Sequence, residues 1–157
     1  METVVPRTGA RPCFSRNAYS PWRSGRGRPP PMQFSFQFPP ADDAPAQARG
    51  ALEVFDQILA PEVLEDLQLV VSELVTNSVK FGPKRSITLS LEVGAEGKVR
   101  GEVIDQGDGE RAKIEMTPEP SLEGGWGLHL VERVATCWGV HEGSTHVWFE
   151  VGPRRRA

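Results

Sequence analysis

A carboxylate and an amide side chain stand one helical turn apart in SELVTNSVKFG, residues 72–82. Glu73 and Asn77 are four residues apart, which places both on one face of a helix. A carboxylate can act as a general base, and an amide oxygen can help to hold a metal ion such as Mg²⁺. The same spacing also fits an ordinary solvated helix face, so further residues must decide between the two interpretations.

Two glycine-containing segments follow further along the chain. Asp105, Gly107 and Gly109 lie in VIDQGDGE, and Gly125 and Gly127 lie in GGWGLHLVERV. Glycine permits positive φ and close backbone approach to a ligand, and the second pair opens a predicted helix whose free N–H groups can face phosphate. Taken alone, IDQGDGE fits a plain turn or a cation-binding loop equally well. Three motifs in this order nevertheless indicate a nucleotide site.

The hydrophobic periodicity predicts elements that can position these residues. The predicted elements are a first or edge strand at 33–38, helices at 43–59 and 61–81, a hairpin of strands 86–93 and 98–104, a helix at 126–136, and a closing hairpin of strands 137–141 and 145–151. Polar residues 110–123 contain two prolines and predict a loop long enough to serve as a lid. The order predicts an α+β two-layer sandwich, with helices on one face of a mixed, mostly antiparallel sheet.

Charge divides the 157-residue chain unevenly. Residues 1–31 contain six Arg and one Glu, a net charge of +5, so a total of −3 leaves −3 − 5 = −8 for the remainder. We therefore predict a disordered basic Pro/Arg-rich arm at 1–31, one domain at 32–152 and a disordered tail at 153–157. The arm either contacts nucleic acid or an acidic partner or is simply solvated, and translation from Met32 would omit it. The acidic remainder argues against direct nucleic-acid binding by the domain.

Neither a secretory h-region nor an apolar run long enough to span a membrane occurs in the sequence. We therefore expect a cytoplasmic protein without a membrane partner. The two cysteines, Cys13 and Cys137, predict no disulfide framework, and Cys137 is expected to pack as a small apolar residue within a helix.

The three motifs together resemble those of the Bergerat-fold ATP-binding domain, which gyrase, Hsp90, histidine kinases and MutL share. Within that superfamily the chain is most similar to the bacterial serine kinase anti-sigma factors. SELVTN corresponds to the N box, D-Q-G-D-G to the first glycine box and G-W-G-L-H-L-V to the second, over residues of about 33–151. The resemblance implies a histidine kinase-like ATPase fold that binds ATP and Mg²⁺.

The resemblance also implies a role for each matching residue. Glu73 would be the catalytic base, Asn77 would hold Mg²⁺, and Asp105 would accept a hydrogen bond from the adenine amino group. The remaining residues expected to contact the nucleotide are Lys80, Gly107, Gly109, Gly125, Trp126, Gly127, Leu128 and Thr145. Ser144 is an alternative to Thr145, and Lys80 is equally well explained as a solvated lysine. Phe81 departs from the family pattern, because relatives often carry His at that position.

Two functions remain open from the sequence. The first is a serine/threonine protein kinase that sequesters a sigma factor and phosphorylates an anti-anti-sigma protein, as the resemblance implies. The second is a non-catalytic, nucleotide-gated protein-binding module of the same fold. Because relatives dimerise, the resemblance also allows a homodimer. Glu73 favours the enzyme, since a binding module has no need of a general base.

Overall fold

The computed structural model describes residues 2–5, 27, 29–106, 126–141 and 146–154. Side-chain environments are described for the same residues except 2–5, 126–129 and 141. Gly107, Gly109, Gly125 and Thr145, together with the predicted lid, lie outside the described residues. The fold is therefore argued from the sheet, the three helices and the turns that join them.

Six strands form one sheet, whose order is β1-β5-β6-β4-β3-β2. Their bounds are β1 Glu2–Val5, β2 Met32–Phe38, β3 Ile87–Val93, β4 Val99–Ile104, β5 Cys137–His141 and β6 Val147–Val151. Each described strand pair is antiparallel, in a sheet that the sequence predicted to be mixed but mostly antiparallel. Strand β2 lies at one edge, as predicted, and β4 lies in the interior of the sheet, where its end can deliver Asp105 to a protected position.

Helix α2, Pro61–Phe81, has the bounds that the sequence predicted. Pro61 suits the first helical position because its missing N–H would have no partner there. Apolar residues recur on one side of the helix, and Val63, Leu67, Val71 and Val75 are fully buried. Gly82 follows the last helical residue and donates its backbone N–H to the Ser78 carbonyl. The helix is thus anchored along its length and ends sharply beside the predicted site.

Helix α1, Ala44–Ala51, is shorter than the predicted helix at 43–59. It continues as a 3₁₀ turn, Leu52–Phe55. Leu52 and Phe55 are both fully buried, and a 3₁₀ turn places residues three apart on the same side. Both side chains of this turn therefore enter the core.

Helix α3, Trp126–Val134, packs against α2 and completes a layer of helices over one sheet face. Core residues from α2 and from β3, β4 and β6 form one cluster with Phe55 and Trp138. The Phe34 and Phe55 rings meet edge to face with centroids 4.7 Å apart. The described structure is the predicted α+β sandwich with its helices on one face.

Three segments differ from their predictions. Glu2–Val5 pairs with β5 as a strand, although residues 1–31 were predicted to be disordered. Arg154, predicted to lie in a disordered tail, donates to both carboxylate oxygens of Asp66, over 2.8 and 3.3 Å. Cys137 is buried as predicted, and it begins β5, in agreement with the predicted strand at 137–141 and not with a helix, but it is disulfide-bonded. In each case a partner distant in sequence supplies the interaction, which local patterns do not reveal.

Candidate functional site

Glu73 and Asn77 lie in the second half of α2, as their spacing predicted. Both side chains are half-buried, and the helical rise of about 1.5 Å per residue sets them about 6 Å apart along the axis. Leu74 and Val75, between them, are buried in the core. The apolar side of α2 therefore fixes the helix, while Glu73 and Asn77 lie toward its less buried side.

Asp105 follows the last residue of β4 and is 5% exposed. It approaches the C-terminal end of α2 closely, because a Cβ added at Gly82 would lie 3.0 Å from Asp105 Oδ2. The same Cβ would lie 2.3 Å from the Ser78 carbonyl oxygen. Asn77 immediately precedes Ser78 in α2. The fold thus brings the SELVTN helix and the Asp105 carboxylate together, although they are separated by two strands in the sequence.

The sequence analysis assigned Gly82 only to the end of the helix. The close contacts of its missing Cβ show that it also makes room for Asp105. A side chain at this position would have to displace a backbone carbonyl or the carboxylate. The Gly82-Pro83 pair signalled a helix end, but a tertiary contact of this kind has no local sequence signal.

Two further residues near the site were not anticipated. Gln106 has a φ of 63°, and its Nε2 donates to the Ser86 carbonyl over 3.3 Å, which directs the chain leaving Asp105. Lys84 has a φ of 59°, and its ammonium donates to the Val79 carbonyl in the last turn of α2. Both residues adopt the left-handed region that side chains disfavour. They hold the two turns that flank the Asp105 position.

Lys80 and Phe81 are exposed in the last turn of α2, and Phe81 is 69% exposed. A lysine here interacts favourably with the negative end of the helix dipole. That interaction accounts for Lys80 without a ligand. Phe81 has no comparable role within the described fold, because an exposed aromatic ring contributes little burial.

Trp126, Gly127 and Leu128 form the first turn of α3, as the second glycine box predicted. The first N–H groups of a helix have no intrahelical acceptor, so this turn can donate to an anion. α3 packs on α2, the helix that carries Glu73 and Asn77. The structure thus describes one end of this box, while Gly125 precedes the described part of α3.

A cleft of about 540 Å³ lies away from these residues. Its charged lining residues are Asp66, Lys98, Arg133, Glu150 and Arg154. Asp66 lies 11 residues before Asn77, or about 16 Å along the helix. The cleft contains none of the predicted site residues and is not the candidate nucleotide site.

Metal ligation by a cluster finds no support in the described part of the chain. Among those residues, no three His, Cys, Asp or Glu side chains are grouped so that they could hold a metal ion.

No described helix combines the length and apolarity needed to cross a membrane.

Comparison with known proteins identifies the family of this fold. A family model described as the histidine kinase-like ATPase domain matches residues 38–150, which include α1, α2, strands β3 to β5 and all but the last residue of β6. No curated protein matches the chain.

Among solved structures, the chain is similar to the RsbU and RsbW domains of Rv1364c from Mycobacterium tuberculosis. The TM-score is 0.57 at 21% sequence identity. The match covers 80% of this chain but only 34% of the solved chain, so this chain spans about a third of its length. At that identity the likeness establishes a common fold.

Proposed function

The chain belongs to the histidine kinase-like ATPase domain family, and we propose that it is an ATP-binding regulatory protein acting as a serine/threonine kinase and anti-sigma factor. The observation that carries this proposal is the close approach of the buried Asp105 carboxylate to Gly82, which follows the last residue of the helix that carries Glu73 and Asn77. Glu73 and Asn77 on the helix, and the Asp105 carboxylate at its end, can contact different parts of a nucleotide.

The chemistry of the described residues fits ATP and Mg²⁺. A buried carboxylate such as Asp105 suits the amino group of adenine, because a charged acceptor strengthens a hydrogen bond. The Asn77 oxygen suits Mg²⁺, which prefers oxygen ligands and usually takes only one or two from the protein. ATP bound with Mg²⁺ would supply a transferable phosphoryl group.

Glu73 is the residue that distinguishes an enzyme from a binding module. In the proposed reaction its carboxylate accepts the proton of the attacking serine or threonine hydroxyl as that oxygen bonds to phosphorus and the bond to ADP breaks. Asn77, on the next turn, would hold the Mg²⁺, which would supply positive charge beside the phosphates near that carboxylate. A nucleotide-gated module would use Asp105 and Asn77 in the same way but would not need Glu73.

The proposed partners are a sigma factor and an anti-anti-sigma protein. This assignment rests on the resemblance to serine kinase anti-sigma factors and is supported by the similarity to a solved structure containing an RsbW domain. The sequence resemblance also supports a homodimer. Because the similarity to the solved structure extends to a third of that chain, the partners need a direct test.

Isothermal calorimetry of the full chain with ATP and ADP, with and without Mg²⁺, tests the proposal. We expect magnesium-dependent binding that Asn77→Ala abolishes while the circular dichroism spectrum stays unchanged. Gln68→Ala is a matched control, because Gln68 is another half-buried amide on α2 outside the candidate site. Wild-type affinity in Asn77→Ala, or equal losses in both variants, would refute the site.

A further inference from the structure

The sheet face opposite the helices is lined by alternate residues of β4, β5 and β6. Val99, Val103 and Phe149 belong to the core beneath the helices. Because successive side chains of a strand point to opposite faces, the intervening residues point away from that core. We call this set the helix-free face; its members are Arg100, Glu102, Cys137, Trp148 and Glu150.

Three side chains of this face are buried although no described helix covers them. Trp148 is 0% exposed, Cys137 is 3% exposed and Arg100 is 6% exposed. The Arg100 guanidinium lies 4.9 Å from the centre of the Trp148 ring and 3.3 Å from Glu150 Oε1. In a two-layer sandwich a tryptophan on the outer sheet face would be open to water. A further layer of polypeptide must therefore cover Trp148.

The path of the chain identifies a segment that can supply this layer. Strand β1 pairs with β5 at one edge of the sheet, and β2 lies at the opposite edge. Residues 6–31 must therefore cross five strand spacings, or about 24 Å. Helices occupy one of the two faces, which leaves the helix-free face as the direct route.

Composition makes residues 6–31 complementary to this face. They contain six Arg and no Asp or Glu, together with Phe14, Tyr19 and Trp22. In β3, Glu92 stands between the core residues Leu91 and Val93 and therefore points to the opposite side of the sheet. It lies on the helix-free face with Glu102 and Glu150. Arginine can pair with carboxylates and also stack on aromatic rings. The segment thus offers both charges and apolar area that suit the face.

A disulfide gives an independent reason to connect the two. Cys137 on the helix-free face is disulfide-bonded. The only other cysteine in the sequence is Cys13, within the arm. A bond formed within one chain would therefore tie the arm to this face.

We propose that residues 6–31 dock across the helix-free face and form a third layer over Trp148. The N-terminal arm is then an intramolecular ligand of the sheet, not a solvated tail. Because the docking face is opposite the helices, this interaction is separate from the proposed nucleotide site. Its failure would leave the proposed ATP binding untouched.

Thiol labelling of Cys137 in the full chain tests this proposal. The first chain carries Cys13→Ser, so that Cys137 is its only cysteine. In the second chain, the linker chain, a Gly-Ser linker of equal length replaces residues 6–30. We expect Cys137 to react about tenfold or more faster in the linker chain, because exposure controls access to the thiol. A third chain with the six arm arginines changed to Gln should label at an intermediate rate.

Equal labelling rates in the Cys13→Ser and linker chains would overturn the proposal. In that case, a linker chain that sediments as a dimer would show that a second copy of the chain covers the helix-free face. Trypsin treatment of the unaltered chain decides the matter if the linker chain fails to fold. We expect cleavage after Arg16 and Arg23 to be about tenfold slower than in a free peptide of residues 1–31. Cleavage at the same rate in chain and peptide would refute docking.

Discussion

Replacing Gly82 with alanine tests the contact between α2 and Asp105 directly. The added Cβ would lie 2.3 Å from the Ser78 carbonyl oxygen and 3.0 Å from Asp105 Oδ2. The first distance is a clash with backbone, so the helix end must move. That movement would disturb the 2.9 Å hydrogen bond from the Gly82 N–H to the Ser78 carbonyl.

Two effects set the size of the expected loss. Overpacking costs about 1–3 kcal/mol, and loss of the terminal hydrogen bond costs about 0.5–1.5 kcal/mol, so Gly82→Ala should destabilise the fold by about 1.5–4.5 kcal/mol. Equilibrium unfolding in urea measures this free energy. Because Asp105 must shift as well, the folded variant should also bind ATP more weakly in calorimetry.

Gly50 supplies the matched control. A Cβ at Gly50, within α1, would meet no atom within 4 Å. Gly50→Ala should therefore stabilise the helix by about 0.5–1 kcal/mol, the opposite sign to Gly82→Ala. A Gly82→Ala chain whose unfolding free energy lies within about 0.5 kcal/mol of wild type would refute the close approach deduced for Asp105.

Three further substitutions test the chemistry of Glu73, the packing at Gly101 and the ion pair of Arg154. Glu73→Gln should keep ATP affinity but lose phosphoryl transfer in a radiolabelled ATP assay with the proposed anti-anti-sigma partner, and unchanged transfer would remove Glu73 from the base role. Gly101→Ala should cost about 1–3 kcal/mol in urea unfolding, because its Cβ would lie 2.2 Å from Cζ of the fully buried Phe149. In the double variant, Phe149→Leu should recover part of that loss. If the unfolding free-energy changes of the two single substitutions simply added, that result would argue against a clash between residue 101 and Phe149. Arg154→Ala should destabilise the fold in urea unfolding by leaving the buried Asp66 without its guanidinium, whereas Lys98→Ala, which removes an exposed ion pair with Glu96, should change stability by less than about 1 kcal/mol.

Helix α2 was predictable in full because its signals are local. Pro61 marks its first turn, an apolar stripe runs through it, and Gly82-Pro83 follows its end. The hairpin of β3 and β4 was predictable for the same reason, since its residues alternate around a short turn. The candidate residues Glu73 and Asn77 were placed on the correct element by spacing alone.

The features that local patterns missed depend on distant partners. The change from α-helix to 3₁₀ turn after Ala51, within the helix predicted at 43–59, has no local sequence signal. Pairing of Glu2–Val5 depends on β5. The contact between Gly82 and Asp105 likewise exists only after β3 and β4 have folded against α2.

Because α2 serves both the core and the site, its two sides should respond differently to mutation. Leu74, 2% exposed, lies among core residues, so Leu74→Ala should cost about 2–5 kcal/mol of unfolding free energy. Its effect on ATP affinity should disappear when affinity is calculated for the folded fraction only. Asn77→Ala should show the reverse pattern, with affinity lost and stability kept. If both variants lost affinity in proportion to stability, α2 would be a structural helix whose polar side plays no part in binding.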